Sequence, residues 1–473
     1  MIRSLKVCAL AGIVLYCSFP AYAQAPASEA TEVLRLNPTQ AVERAINHNL
    51  GLEAARINLD IKRRKSDLVW NQFLPNVAAR GTLARAHEAS VIQGMSIPSL
   101  GIDIPSTTLP NWTALGTLSA DLTLSFALVE GIRSIQLDYD AGRLGFENAK
   151  LQMEQGVRKM YNSILLLTAN AALLDETYRN TQRQAELAEA SFRAGLAPRL
   201  VWIQAQVAVE NLRPAVRDLQ NNVRSLKGTF ALLLGLPSET EFELEELSLE
   251  LLPIPSSIED LLARAASDNP SILELQAAIR TLQSQLKAQR MQSYTPFLRF
   301  DWSLNPVFSG DPLKDAWFGD KEWIERGSFS FTLGISLNAL LPFTKEGQLL
   351  QDTSAALRMQ GLALARTMRE TELEVFTKIN SLQNKLNTVE AQQATVSLAE
   401  ESYRLTEEAF RAGLQDFQTV QSSALALNQA KLQLLSEQFN FLNDLLDLEY
   451  AIGVPFGTLI SNEPLNGGRS RVE

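Results

Sequence analysis

The side chains that carry most protein chemistry are scarce in this sequence. Its only cysteines are Cys8 and Cys17, and its only histidines are His48 and His87. A structural zinc site needs Cys or His ligands at short spacings, and an acyl-transfer triad needs a histidine within reach of a nucleophile. Neither pattern can be assembled from this set, and no glycine-rich phosphate loop or nucleophile elbow is present. His48, between Asn47 and Asn49, reads as a surface or capping residue. The expectation is no enzyme, no cofactor and no metal ion.

Both cysteines fall in an N-terminal segment that reads as a secretory signal, residues 1–23. Arg3 and Lys6 precede an apolar stretch from Val7 to Phe19, and Ala21-Tyr22-Ala23 forms a small-residue cleavage site. Val7 and Tyr16, which precede the cysteines, are not the small residues that lipidation requires. Cleavage would leave no thiol, and the loss of Arg3 and Lys6 takes the formal charge from −10 to −12. Such an acidic exported chain is a poor ligand for nucleic acid. Beyond the signal no uncharged apolar run reaches the ~18 residues of a membrane helix, whereas a β-barrel strand leaves only a weak alternating signal.

The elements that would position any function are written twice. Phe192-Arg193-Ala194-Gly195-Leu196 recurs as Phe410-Arg411-Ala412-Gly413-Leu414, and Gly235-Leu236-Pro237 recurs in register as Gly453-Val454-Pro455. Ala45…Asn49 likewise matches Ala265…Asn269. The division that follows is a first repeat over 24–237, an acidic segment over 238–257 with six glutamates from Glu239 to Glu250, a second repeat over 258–455 and a flexible tail over 456–473. Each repeat reads as one helix (39–72; 258–292), two alternating segments split by a loop, a very long helix (about 131–194; 346–412), a glycine turn and a return helix (198–234; 416–452). Gly195 and Gly413 suit the left-handed conformation that ends a helix. Asp416 suits an N-cap, Pro198 a first turn, and Pro214 should bend its helix.

The long helices carry heptads. Val157, Ile164, Ala171, Tyr178, Ala185 and Phe192 recur every seven residues, with Met160, Leu167, Leu174, Thr181 and Ala188 three residues on. In the second copy Val375, Leu382, Val389, Val396, Tyr403 and Phe410 form the same stripe, but Lys378, Lys385 and Gln392 make its companion positions weak.

Four segments alternate with period two. Phe329, Phe331, Leu333, Ile335 and Leu337 oppose serine, threonine and asparagine in 328–338. The segments 117–126, 298–305 and, more weakly, 77–83 behave alike. Trp112, Phe126 and Phe297 would suit interfacial girdles. The proline-bearing loops (about 87–112 and 306–327) read as extracellular, with Trp317 and Trp323 packing within the second. Four strands cannot close a barrel, and open edges are not tolerated in lipid. Several copies must therefore share one barrel, with Asp121, Arg299 and Asp301 lining a polar lumen.

The order of these features resembles the TolC family of outer-membrane efflux and secretion channels. It rests on the duplication, the strand pairs between long helices, the aromatic-x-x-Gly turns at Phe192/Gly195 and Phe410/Gly413, and Leu-Gly-Leu-Pro at 234–237. The resemblance implies a mainly α fold with β: a coiled-coil helical tunnel continuing a shared 12-stranded transmembrane β-barrel, four strands per chain, in a homotrimer. It implies a place in the outer membrane of a Gram-negative bacterium, reaching into the periplasm. It further implies a passive conduit that docks a periplasmic adaptor (membrane fusion) protein and an inner-membrane transporter. Either drug efflux or type I protein secretion fits. By the same resemblance, Phe192, Arg193, Gly195 and Leu196, with Phe410, Arg411, Gly413 and Leu414, would contact the adaptor. Some members close the tunnel with carboxylates six and nine residues after the second glycine. Here those positions are Thr419 and Ser422, and in the first copy Val201 and Gln204, so an acidic ring does not carry over; Asp416 is the nearest carboxylate. The alternative reading is a periplasmic coiled-coil adaptor or scaffold without a barrel.

Overall fold

A computed structural model describes residues 34–87, 91–92, 95–97, 102–104, 107–108, 111–247, 257–308, 310–317, 323–336, 341 and 343–459. The expected signal with Cys8 and Cys17, Pro98, Pro105 and Pro110, residues 248–256 of the acidic segment, the end of the 328–338 strand and the tail from 460 lie outside them.

The chain opens with a short strand, β1 (Leu34–Leu36), then α1 (Pro38–His48) and α2 (Leu50–Asp67). Asn37 starts α1 through a full capping box with Gln40. After a 3-10 turn (Val69–Phe73) come β2 (Asn76–Arg85), β3 (Trp112–Ser125), α3 (Ala127–Arg193) and α4 (Arg199–Leu233). A short strand, β4 (Phe242–Leu244), pairs parallel with β1 and leads to the second copy. That copy comprises α5 (Ile258–Asp268), α6 (Pro270–Tyr294), β5 (Phe297–Leu304), β6 (Gly327–Gly334), α7 (Lys345–Arg411) and α8 (Phe417–Ala451).

The two helices expected as single rods of about 34 residues are each broken. The breaks fall at Asn49 and Asn269, whose backbones turn extended (ψ 124° and 123°) while their side chains cap the next helix. Asn49 accepts from the amides of Gly51 and Leu52, Asn269 from those of Ser271 and Ile272. Each asparagine also donates to the end of the return helix: Asn49 to the Leu233 carbonyl at 3.0 Å, Asn269 to that of Ala451 at 2.9 Å. The following glycines, Gly235 (φ 71°) and Gly453 (φ 70°), sit so close that a Cβ would meet the carbonyls of His48 and Asp268. Gly is the residue that fits both the dihedral and the gap. Exposed His48 therefore closes the first helix and supplies a carbonyl to this contact.

The long helices have 67 residues each, about 100 Å at 1.5 Å per residue, and the return helices 35. Each repeat has its own core, built on matching positions: Val157, Tyr161, Ile164, Phe230 and Leu234 in the first, Val375, Ile379, Leu382, Leu448 and Ile452 in the second. Of the heptad stripe of the first long helix, Val157, Met160 and Ile164 enter this core and Ala185 and Ala188 a smaller cluster near the tips, and its polar member Thr181 is buried with its hydroxyl on the Thr177 carbonyl. Helix α4 continues through Pro214. Pro198 lies one position earlier than expected, as the N-cap of α4. Phe242 of β4 enters the first core, and the Tyr161 hydroxyl lies 3.0 Å from the Leu36 carbonyl and 2.8 Å from that of Glu245. Burial, and then the Glu245 charge, push Tyr161 up to about 12. The acidic segment is thus stitched to the helical body at its start.

The four expected strands form one antiparallel sheet in the order β2-β3-β5-β6, and the pair Val307–Phe308 and Trp323–Ile324 joins the edge of β3 that also carries β5. β2 and β3 run longer than the alternation suggested, 10 and 14 residues, whereas β5 and β6 have 8 each. The region expected as a plain loop between β2 and β3 contains two short strand pairs, Val91–Ile92 with Thr107–Thr108 and Met95–Ile97 with Ile102–Ile104.

Candidate channel wall, lumen face and hairpin tips

Register decides whether alternation within strands becomes a face across the sheet. Here it does. Val77, Ala120, Trp302 and Phe329 form one cross-strand row. Leu122, Phe300 and Phe331 form the next, with the two phenylalanine rings 4.6 Å apart edge to face. Leu124, Leu298 and Leu333 form a third. This face is open, most of all along β6: Leu333 is 76% exposed, Phe329 and Phe331 are also exposed, and Leu122, Leu124, Leu298 and Phe300 of the middle strands are half-buried. Among the described residues the outer edges of β2 and β6 pair with nothing.

The opposite face collects the three charged residues expected together. Asp121 and Asp301 are direct cross-strand partners, and Arg299 faces Thr123 and Thr332 one row away. Arg299 Nε donates to Asp301 Oδ1 at 2.8 Å, and Asn76 Nδ2 donates to Asp121 Oδ1 at 3.2 Å. One girdle residue is displaced. Phe297 has the parity of Arg299 and Asp301, and its ring covers Gly334, where a Cβ would lie 2.7 Å from it. Trp112 keeps the parity of the apolar face, with Arg85 stacked over its ring at 5.6 Å, and Phe126 is exposed just after β3. Trp70, Phe73, Tyr294 and Phe343, also exposed, flank the other strand-to-helix junctions at the same end of the sheet. Trp317 and Trp323 pack with buried Phe308 as expected, at ring separations of 5.3 to 6.2 Å.

The far ends of the helical hairpins are built alike. Gly195 and Gly413 both have φ 75°. Leu196 N donates to the Ser191 carbonyl and Leu414 N to that of Ala409, both at 2.8 Å, closing each helix with a left-handed cap. Leu196 and Leu414 project at 83% and 78% exposure. Arg193 pairs with Glu189 and Arg411 with Glu407, one turn back on their own helices. Phe192 stacks on Trp202 at 5.5 Å, while Phe410 meets Phe417 edge-on at 6.4 Å. Phe417 also packs among Ala188, Ala205 and Val201, which joins the two tips.

Asp416 caps α8. Its carboxylate accepts from the Thr419 hydroxyl at 2.5 Å and the Thr419 amide at 2.8 Å, and these bonds hold it below the usual carboxylate range. Ser422 donates to the Thr419 carbonyl, and Gln204, its counterpart in the first copy, is exposed. Thr419 and Val201 are half-buried.

The weak heptad positions have a purpose that the sequence pattern hid. Lys378 bonds Asp444 at 2.6 Å and Asp447 at 2.7 Å, and Lys385 bonds Asp444. Lys159 and Gln155 of α3 reach the same Asp447. Burial opposes the charge on Asp444, but bonds from Lys378, Lys385 and Ser381 outweigh it and lower its pKa. Burial and Asp447 raise that of Glu374. A search for carboxylates on the return helix facing each lysine would have found this network. Among the described residues no group of three or more His, Cys, Asp or Glu could hold a metal ion, and no helix is long and apolar enough to cross a membrane.

Residues 41–236 match the sequence model of a family described as outer membrane efflux protein. The fold matches several solved structures. The CmeC outer membrane channel of Campylobacter jejuni aligns with TM-score 0.69 at 15% identity, over 88% of this chain and 85% of that one. The outer membrane protein VceC of Vibrio cholerae gives 0.68 at 16%, over 89% and 96%. CusC, solved in a study of transmembrane channel formation, gives 0.68 at 16%, over 91% and 95%.

Proposed function

We propose that this chain, a member of the outer membrane efflux protein family, is the outer-membrane channel-tunnel of a tripartite efflux or type I secretion system. The observation that carries the reading is a sheet with one bare apolar face, one charged face and two unpaired edges, mounted on helices about 100 Å long. An apolar face of this kind is stable against lipid, and unpaired edges in lipid are not. Identical copies therefore join edge to edge, and three copies of four strands make a 12-stranded barrel in the outer membrane. Asp121, Arg299 and Asp301 then face a water-filled lumen. The helices continue the conduit into the periplasm, and transport is passive.

The tips are the docking end. Phe192, Arg193, Gly195 and Leu196, with their counterparts Phe410, Arg411, Gly413 and Leu414, present bare leucines on rigid turns to a periplasmic adaptor protein, which couples the channel to an inner-membrane transporter. Val201, Gln204, Thr419 and Ser422, with the capping Asp416, set the chemistry of the tunnel mouth, where Asp416 is the one carboxylate among them. The domain division at 237, 257 and 455 follows the two repeats. The adaptor alternative has no use for the bare sheet.

The test is the mass and conductance of the chain purified from outer membranes in detergent. A trimer that conducts ions in a planar bilayer is expected. A stable, non-conducting monomer overturns the reading.

A further inference from the structure

Two more cations sit on the charged face of the sheet. Arg80 of β2 lies opposite Thr117 of β3. β5 and β6 keep their register beyond their last paired residues. Asn305 N donates to the Arg326 carbonyl, between the pairs Leu304–Gly327 and Val307–Ile324. Thr117 and Asn305 are opposed in the same way, because Leu118 faces Leu304 and Leu115 faces Val307. Arg80 and Arg326 therefore share one cross-strand row. Alternation places Arg80 on the side of Asn76, and Arg326 on the side of Ser328 and Ser330, which is the face of Asp121 and Asp301. Both arginines are exposed, and among the described residues neither meets a carboxylate.

Asp121 and Asp301 stand four residues nearer the helices on their strands. Arg299, nearer still, is spent on Asp301 at 2.8 Å, and Asp121 accepts from the neutral Asn76. The inner band thus keeps a net negative charge and the outer row a net positive one. Among the described residues on this face of the four strands, Arg80, Asp121, Arg299, Asp301 and Arg326 are the charged ones. With ~3.4 Å per residue and a strand tilt near ~40°, the two bands lie about 10 Å apart along the barrel axis.

We propose that the barrel lumen is bipolar, an arginine ring toward the cell exterior and an aspartate ring toward the periplasm, and that the channel therefore rectifies ionic current. The proposal rests on the trimeric barrel read above and adds to it what the lumen does to charge. Three copies turn each row into a ring, and a ring of fixed charge fills a pore with ions of the opposite sign. Cations enter most readily through the aspartates, anions through the arginines. With the periplasmic side positive, each ion enters through the ring that attracts it, and both accumulate between the rings. With the polarity reversed, each leaves through that ring and the space between is depleted. Small ions of either sign meet one repelling ring on their way out; solutes without net charge meet none.

The test is the current–voltage curve of the purified channel in planar bilayers, inserted from one chamber so that the helices stay on that side. In symmetric KCl at about 0.1 M, where a charge is felt over about 10 Å, conductance should be roughly twofold larger with the helical side positive. At about 1 M, where that reach falls to about 3 Å, the curve should straighten. Arg80→Ser with Arg326→Ser should straighten it at the lower salt and move the reversal potential in a salt gradient toward cation preference. Where that double variant does not assemble, Arg80→Gln and Arg326→Gln, taken singly, should each lower the asymmetry. A conducting channel whose curve at the lower salt is straight or bent the other way overturns the bipolar lumen and leaves the channel standing. Rectification that persists at the higher salt, or that is undiminished in the variants, does the same. Absence of any conductance overturns the channel reading and the lumen with it.

Discussion

Asn269 donates to the carbonyl of Ala451, 182 residues later in the chain, at 2.9 Å, and Asn49 makes the same bond to Leu233. Each asparagine breaks one helix, caps the next and fastens both to the end of the return helix. Asn269→Ala leaves a buried carbonyl unpaired and α6 uncapped, a cost of about 1–3 kcal/mol for the bond and about 1 for the cap. The helical melting temperature, followed by circular dichroism, should fall; an unchanged transition would show that the bond is dispensable.

Four of the five left-handed glycines, Gly195, Gly235, Gly413 and Gly453, end helices and should divide into two classes. At Gly195 and Gly413 a Cβ would meet nothing within 4 Å, so Val costs only the strained dihedral, about 1–2 kcal/mol at a helix end. Trimer yield should hold while efflux in cells falls. At Gly453 a Cβ would lie 2.2 Å from the Asp268 carbonyl, so Gly453→Ala should lower the yield itself. Comparable yields for Gly453→Ala and the tip variants would contradict this division.

Depth should grade the effect of a charge on the apolar face. Phe329 shares a row with Trp302, Ala120 and Val77, well inside the sheet, whereas Leu333 lies beside the helices. Arg at a mid-bilayer position costs about 2–4 kcal/mol and less near an interface. Phe329→Arg should therefore reduce heat-modifiable trimer in outer membranes more than Leu333→Arg does, and Ser330→Arg on the charged face should be tolerated. The reverse order would mean that the faces are inverted.

Acid should loosen the second hairpin before the first. Asp444 is held below the usual carboxylate range, so between its folded pKa and the unfolded value near ~3.9 the unfolded chain binds the extra proton. Its contribution is complete above the unfolded value and is lost as pH falls through the folded one. The melting temperature of the helices should drop across that window, and Asp444→Asn should flatten the drop. An identical acid profile in the variant would remove Asp444 from the cause.

Much of this architecture is legible in the sequence because it is periodic. Sevenfold recurrence from Val157 to Phe192 and twofold alternation around Phe329 and Phe331 survive any local irregularity, and the repeated Phe-Arg-Ala-Gly-Leu run sets the offset that the helices obey. The breaks at Asn49 and Asn269 were hidden because helical patterning resumes on the far side of each within one residue. Lys378 and Lys385 looked like defects because their partners, Asp444 and Asp447, lie about 60 residues away on another helix. Phe297 misled because hydrophobicity does not say on which side of a pleat a residue falls; its neighbour across the sheet, Gly334, does.

Each repeat brings one β-hairpin, β2 with β3 and β5 with β6, so the sheet runs up, down, up, down and its two outermost strands point in opposite senses. That parity has a consequence for how such a cylinder can be tiled. An even count lets copies be added without a parallel joint, and the unit that satisfies it is the half-length repeat, not the whole chain. Six single repeats would enclose the same circumference as three double ones. What fusing them adds is the freedom for the two hairpins of one chain to diverge, as where Lys378 and Lys385 hold Asp444 at positions that are Met160 and Leu167 in the first repeat.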